Sequence, residues 1–244
     1  MAQDTMAASA VAVLAAGFLV QASGAALAQS VASATPTAGQ ILTRVAATYA
    51  SCRSYSDTGV VTDRYPGALG HTTEKPFRTA FVRPDRFRFQ FTESKGILGG
   101  DSVDIVWRRG DDVRTWWDVK PGILRAKSLG DALSTATGVS GGSAHAIPAL
   151  LLPHEVGGRR PTDVSQPRFL DEARIGASAC FRIAGMYGDA PTTVWVDKGR
   201  LLILRIDRRT EIPTGTVEET IAYEPALDGE VTEAMLAFDP PVRP

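Results

Sequence analysis

The run Arg83-Pro84-Asp85-Arg86-Phe87-Arg88-Phe89-Gln90-Phe91 decides the fold. Pro84-Asp85 is a turn dipeptide, because proline presets one backbone angle and aspartate bonds its own backbone. After the turn, Phe87, Phe89 and Phe91 alternate with Arg86, Arg88 and Gln90. Period two sends the phenylalanines to one face of a strand and the basic or polar residues to the other. Upstream, Phe77, Thr79, Phe81 and Arg83 keep the same period, and Tyr55, Gly59 and Val61 begin it. Downstream, Val103 to Trp107 and Val113 to Val119 flank Arg108-Arg109-Gly110-Asp111-Asp112, a hairpin turn by its Gly and Asp content.

Working outward, Ile41, Leu42, Val45, Ala46 and Tyr49 make a helical stripe over Gln40 to Ala50, with Thr37 as a start signal. From Pro121 the character changes. Ile123 to Leu133 has helical spacing, Thr137 to His145 is rich in Gly and Ser, and Ala146 to Leu152 is a short apolar stretch ending at Pro153. Strand patterns return at Phe169 to Ile175, Cys180 to Met186, Thr192 to Val196, Leu201 to Asp207 and Val217 to Tyr223. The tail, Glu230 to Pro244, holds Met235, Leu236 and Phe238. Roughly ten strands in sequential order, with helices only at the start and middle, predict a mainly β, α+β chain. Its single antiparallel sheet curls over a core, with a leading helix and a mid-chain helical insertion.

The chain has 244 residues, with 26 Lys and Arg against 27 Asp and Glu, a formal charge of -1. That balance supplies no drive toward nucleic acid or an anionic polymer. At 44% hydrophobic and 22% charged residues it is neither disordered nor an integral membrane chain. Residues Ala7 to Ala28 form an Ala-rich apolar run ending Ala26-Leu27-Ala28, the small-x-small pattern read by signal peptidase. The flank departs from the pattern, since residues 1–6 carry Asp4 and no Lys or Arg. The expectation is a signal peptide over 1–28, cleaved after Ala28, then a flexible leader over 29–39 and one domain over 40–244. An uncleaved anchor is the alternative. In an exported chain Cys52 and Cys180 meet oxidising conditions. Pairing them would close a loop of about 128 residues, worth roughly 4–5 kcal/mol; two separate buried thiols are the alternative.

No constellation for catalysis stands out. Gly138-Val139-Ser140-Gly141-Gly142 matches G-x-S-x-G, but Asp131 to Thr137 is no buried strand and the required acid-then-His order fails. His71, His145 and His154 show no zinc spacing, and Asp111-Asp112 reads as a solvated turn. The cysteines lack C-x-x-C spacing, and no phosphate-binding glycine loop opens a helix. The sequence therefore implies no enzyme, no metal and no cofactor.

Thr192-Thr193-Val194-Trp195-Val196-Asp197-Lys198-Gly199-Arg200-Leu201-Leu202-Ile203-Leu204-Arg205-Ile206 resembles the W-[IV]-D hairpin of the periplasmic lipoprotein-sorting, LolA-like group. The first helix ending Tyr49-Ala50, the Ser54-Tyr55 strand start, the Arg83 to Phe91 hairpin and Ala237-Phe238-Asp239-Pro240-Pro241 follow in the same order, so the likeness spans most of residues 40–241. It is nearest to a broad branch with Cys near the first helix and again before the hairpin. The resemblance implies an incomplete, curved antiparallel barrel whose mouth is covered by helices. It also implies a periplasmic, monomeric carrier of lipid or acylated lipoprotein, with envelope membrane proteins as further partners and no nucleic acid. On it, Phe87, Phe89, Phe91, Trp107, Trp116 and Trp195 line the cavity and Ile147, Leu150 and Leu151 form the lid. Ordinary core is the alternative for each. The same fold also serves a regulator of envelope-stress signalling, so an interaction module without carrier activity is the second functional expectation.

Overall fold

Thr37 starts the first helix, α1 (Ala38–Ser51), with a capping box: its hydroxyl accepts from Gln40 N (3.2 Å) and its own N–H donates to the Gln40 side chain (2.8 Å). The computed structural model describes residues 35–67, 70–94, 100–119 and 122–241. The expected signal peptide, its cleavage site and most of the leader lie outside them. The helix takes Ala38 and Gly39, the last two residues expected in the leader, because the cap precedes them. Its stripe of Ala38, Ile41, Leu42, Val45 and Tyr49 is buried against the sheet, and the Tyr49 hydroxyl accepts from Ile203 N at 3.0 Å.

Among the described residues one sheet of twelve strands carries the fold. The first six are β1 (Ser54–Arg64), β2 (Thr72–Val82), β3 (Arg86–Ser94), β4 (Asp101–Arg109), β5 (Asp112–Trp117) and β6 (Ile123–Arg125). After the helical insertion come β7 (Ser165–Phe169), β8 (Ala173–Ile175), β9 (Ser178–Tyr187), β10 (Ala190–Asp197), β11 (Ile203–Ile212) and β12 (Gly215–Leu227). The order is β6-β5-β4-β3-β2-β1-β12-β11-β10-β9-β7, with β8 also on β9. First and last strands thus meet in the middle, Tyr55 opposite Leu227 through Arg64 opposite Glu218. The two ends, β6 and β7, do not pair with each other, so the curved sheet is an incomplete barrel, as expected.

Two stretches differ from the sequence expectation. Ile123 to Leu133 is not one helix: Ile123–Arg125 pairs with β5, and α2 (Leu129–Thr137) waits for Ser128, whose hydroxyl accepts from Asp131 N at 3.1 Å. A helix needs a capping group at its start, and apolar spacing alone does not supply one. Phe169 to Ile175 is likewise two edge strands, β7 and β8, separated at Leu170–Glu172. Pro167 sits in β7, where an edge tolerates the missing donor. The insertion continues as α3 (Ser143–Ala146) and α4 (Pro148–Leu151).

The disulfide expectation is corrected: Cys52 and Cys180 are both free and buried. Cys52 ends α1, its thiol directed to Tyr49 O at 3.1 Å, whereas Cys180 lies in β9 opposite Asp197. Burial pushes both thiols above their ordinary pKa, so neither is a ready thiolate.

A buried acid marks the sheet centre. Asp57 accepts from the Tyr55 hydroxyl (2.7 Å) and from Thr79 N (2.8 Å), yet burial still raises its carboxyl to about 6. The folded chain therefore holds this proton more tightly than the unfolded chain, whose Asp titrates near 4. Relative to a neutral group, the stability contribution is intact below about pH 4 and is lost as pH rises to about 6, a change on the order of 3 kcal/mol. Asp57→Asn stays neutral and removes this dependence. Urea midpoints of the two proteins are expected to diverge in the variant's favour between pH 4 and 6; parallel curves would show that Asp57 ionises without cost.

Candidate functional site

The helix-covered face of the sheet is filled. Phe87, Phe89 and Phe91 are at most 1% exposed and pack with Phe77, Phe81 and Tyr223 in one continuous core. The rings of Phe77 and Tyr223 meet edge-on at 5.4 Å. Ile147, Leu150 and Leu151 close over this core and are equally buried, joining it rather than roofing a void. The three expected cavity phenylalanines and the three lid residues are thus brought together.

The three tryptophans are not with them. Strand register pairs Trp107 with Arg88 and Trp195 with Arg182 and Arg205, all on the opposite face. There the Trp107 indole donates to Leu236 O (2.7 Å) beneath the C-terminal tail, which Arg88 also holds through Ala237 O and Asp239. Trp195 donates to Asp207 (2.7 Å) and lies between the guanidinium groups of Arg182 and Arg205. Trp116 alternates with Thr115 and Trp117 in β5, so its ring leaves the inner face at the sheet edge.

That edge holds an apolar groove of about 440 Å³ between α2 and strands β4–β6. Val106, Trp117 and Leu124 line one wall; Ala132, Ala136 and Val139 line the other. Ala132 and Ala136 sit one turn apart on the buried side of α2 and fill little of the space between helix and sheet. Its volume falls in the roughly 300–1,000 Å³ range of small-molecule clefts. Trp117, Val119, Ile123 and Leu124 are 37–62% exposed along the same edge, an apolar rim. Asp131, Arg125 and Lys127 add charge at the mouth. Of the expected cavity residues only Trp116 borders this groove. The expected helix over Ile123 to Leu133 hid it, although the apolar Trp116-Trp117 and Ile123-Leu124 pairs stand in the sequence at this edge.

One arginine organises the covering helices. Arg83, at the end of β2, donates through Nε to Cys52 O (2.7 Å) and through Nη2 to Ala50 O (2.6 Å) and Leu151 O (2.8 Å). It therefore ties the carbonyl ends of α1 and α4, where unpaired carbonyls concentrate negative charge, to the sheet. Lys75 similarly donates to Val139 O (3.1 Å) at the end of α2. Arg108 pairs with Glu155 just past α4.

Ser140, the centre of the G-x-S-x-G match, is fully buried after a helix rather than a strand. Its hydroxyl donates to Thr137 O and accepts from Ala144 N, a turn-stabilising role with no exposed nucleophile. Among the described residues no three His, Cys, Asp or Glu side chains gather as a metal site.

No family model and no curated protein sequence matches the chain. Among solved structures it is similar to a LolA superfamily protein from Nitrosomonas europaea, at 12% identity over 83% of this chain and 98% of that one, with a TM-score of 0.34. It is similar to LprF from Mycobacterium bovis, at 13% identity over 80% and 94% of the two chains, TM-score 0.46. It is similar also to MucB of Pseudomonas aeruginosa, solved in complex with MucA, at 12% identity and TM-score 0.46; the chain covers 83% of itself there and 61% of MucB. These matches assign no ligand and no activity to this chain.

Proposed function

We propose that the protein binds an acyl chain, of a lipid or of an acylated lipoprotein, in the edge groove between α2 and β4–β6. The observation that carries this is the apolar groove itself, open to solvent and rimmed by exposed Trp117 and Leu124. An exposed apolar rim is costly to a soluble chain unless something covers it. Each acyl methylene taken from water contributes about 0.8 kcal/mol. On this reading the exported chain works as a monomer in the periplasm, and envelope membrane proteins are its delivery partners.

Titration with a fluorescent fatty acid tests the proposal. The parent protein is expected to bind, and Ala136→Trp, which fills the groove, displaces about three methylenes and weakens binding roughly fifty-fold. Leu124→Asp at the exposed rim weakens it without touching the core. A parent that does not bind, or both variants binding like the parent, overturns the proposal.

A second reading has its own observation. All three residues of β6 are exposed at an unpaired sheet edge, a template for strand addition by a partner chain. Probe binding lost with a partner complex retained would favour this interaction or regulatory module.

A further inference from the structure

The face of the sheet away from the helices carries a second cleft, of about 600 Å³, across β7, β9, β10, β11, β12 and the end of β1. Five arginines reach it from the outer face: Arg64, Arg168, Arg182, Arg205 and Arg209. The two carboxylates on that face are each taken by one of them, Asp207 by Arg205 and Glu218 by Arg209, while Glu219 pairs with Arg208 on the helix-covered face. Arg64, Arg168 and Arg182 are left without a carboxylate among the described residues. In a chain whose formal charge is -1, three uncompensated cations in one cleft are a local excess.

Arg182 is the most telling of the three. Its guanidinium lies 4.6 Å from the centre of the Trp195 ring, which fixes its plane. Its Nε is buried and has no hydrogen-bond partner. A buried donor left unpaired costs free energy until an acceptor arrives. Arg168 stands beside it, on the same face, because it pairs with Ala184 two residues along β9. Adjoining the cleft, and sharing Arg205 and Thr220 with it, is a hollow of about 460 Å³ lined by Val60, Ile175, Leu204 and Ala222. Cations at one end and apolar walls at the other match an amphiphile with an anionic head.

We infer that this outer cleft holds the phosphate of an anionic phospholipid, with Arg168 and Arg182 as its ligands and the adjoining hollow receiving the apolar part next to the headgroup. Guanidinium forks suit phosphate oxygens. The site is separate from the edge groove, and neither depends on the other.

Vesicle sedimentation tests it with the full chain. Phosphatidylcholine vesicles with and without one-third phosphatidylglycerol are compared, and inorganic phosphate is titrated separately by calorimetry. The parent is expected to bind the anionic vesicles in preference to the neutral ones, and less at high salt. Arg168→Gln with Arg182→Gln is expected to weaken that binding roughly thirty-fold. Arg168→Glu alone, at an exposed edge-strand position, serves as the variant that leaves folding intact, and Ala136→Trp is expected to bind the anionic vesicles like the parent. Equal binding by parent and both arginine variants, or no preference for anionic vesicles, overturns the inference. Tight binding of inorganic phosphate without vesicle binding overturns the amphiphile.

Discussion

Arg83→Leu is expected to lower the melting temperature by on the order of 10 °C. The expectation follows from what Arg83 holds. Three charge-assisted bonds, to Cys52 O, Ala50 O and Leu151 O, satisfy carbonyls at the ends of two helices. Bonds to charged groups contribute about 1.5–3 kcal/mol each, but Arg83 is only part-buried and water can replace some of them, so a net loss near 3 kcal/mol is reasonable. Arg83→Lys keeps the charge yet offers one donor centre instead of a fork, and should fall between parent and leucine variant. Hydrogen exchange would show where the loss appears: amides of α4 and the end of α1 should lose protection first. A leucine variant melting within about 2 °C of the parent would mean the carbonyls are hydrated at little cost.

The legible parts of the sequence were those in which polar and apolar residues alternate cleanly. Phe87, Phe89 and Phe91 could be assigned to one face because Arg86, Arg88 and Gln90 separate them, and the register confirms it. Thr37 announced α1 through a side chain that bonds its first turn. The Trp195-Val196-Asp197 hairpin was legible for a physical reason as well. Asp197 accepts from Gly199 N (2.9 Å) and Arg200 N (2.8 Å), so the turn is built into that residue. Burial opposes its ionisation, but these bonds and the Arg200 guanidinium outweigh it and hold the carboxyl below its usual range.

Where both neighbours of a residue are apolar, the alternation carries no face information. Trp195 stands between Val194 and Val196, and Trp107 follows Ile105 and Val106; both faces of those strands are apolar, and the tryptophans went outward. What decided their faces was distant in sequence: the tail carbonyl of Leu236 for Trp107, and Arg182, Arg205 and Asp207 for Trp195. The edge groove was hidden for a similar reason. It depends on space left by Ala132 and Ala136, and alanine reads equally well as tight packing. The unpaired arginines of the outer cleft come from three different strands, so their surplus shows only once β12 is seen to pair with β1.

Phe89→Ala separates a filled interior from a ligand cavity, the two readings that the resemblance to the lipoprotein-sorting group left open. Phe89 is fully buried and packs against Phe77 and Phe91 at ring distances of 6.1 and 6.2 Å. If it is core, truncation costs roughly 3–5 kcal/mol through lost burial and the cavity left behind. The domain should stay folded at room temperature but melt lower by roughly 10 °C or more. Its affinity for a fluorescent fatty acid should stay within about twofold of the parent, because the edge groove is built from β4–β6 and α2 and shares no wall with Phe89. If instead the phenylalanine row lines the acyl site, the same truncation enlarges that site and affinity changes with little loss of stability. Val106, opposite Phe89 on β4, joins the two regions from the sheet side, as Ala132 and Ala136 do from α2, since it lies in the core and also lines the groove. Val106→Ala should therefore lower both stability and affinity, and a set in which Phe89 moves only the first while Val106 moves both would place the ligand at the edge of the barrel rather than inside it.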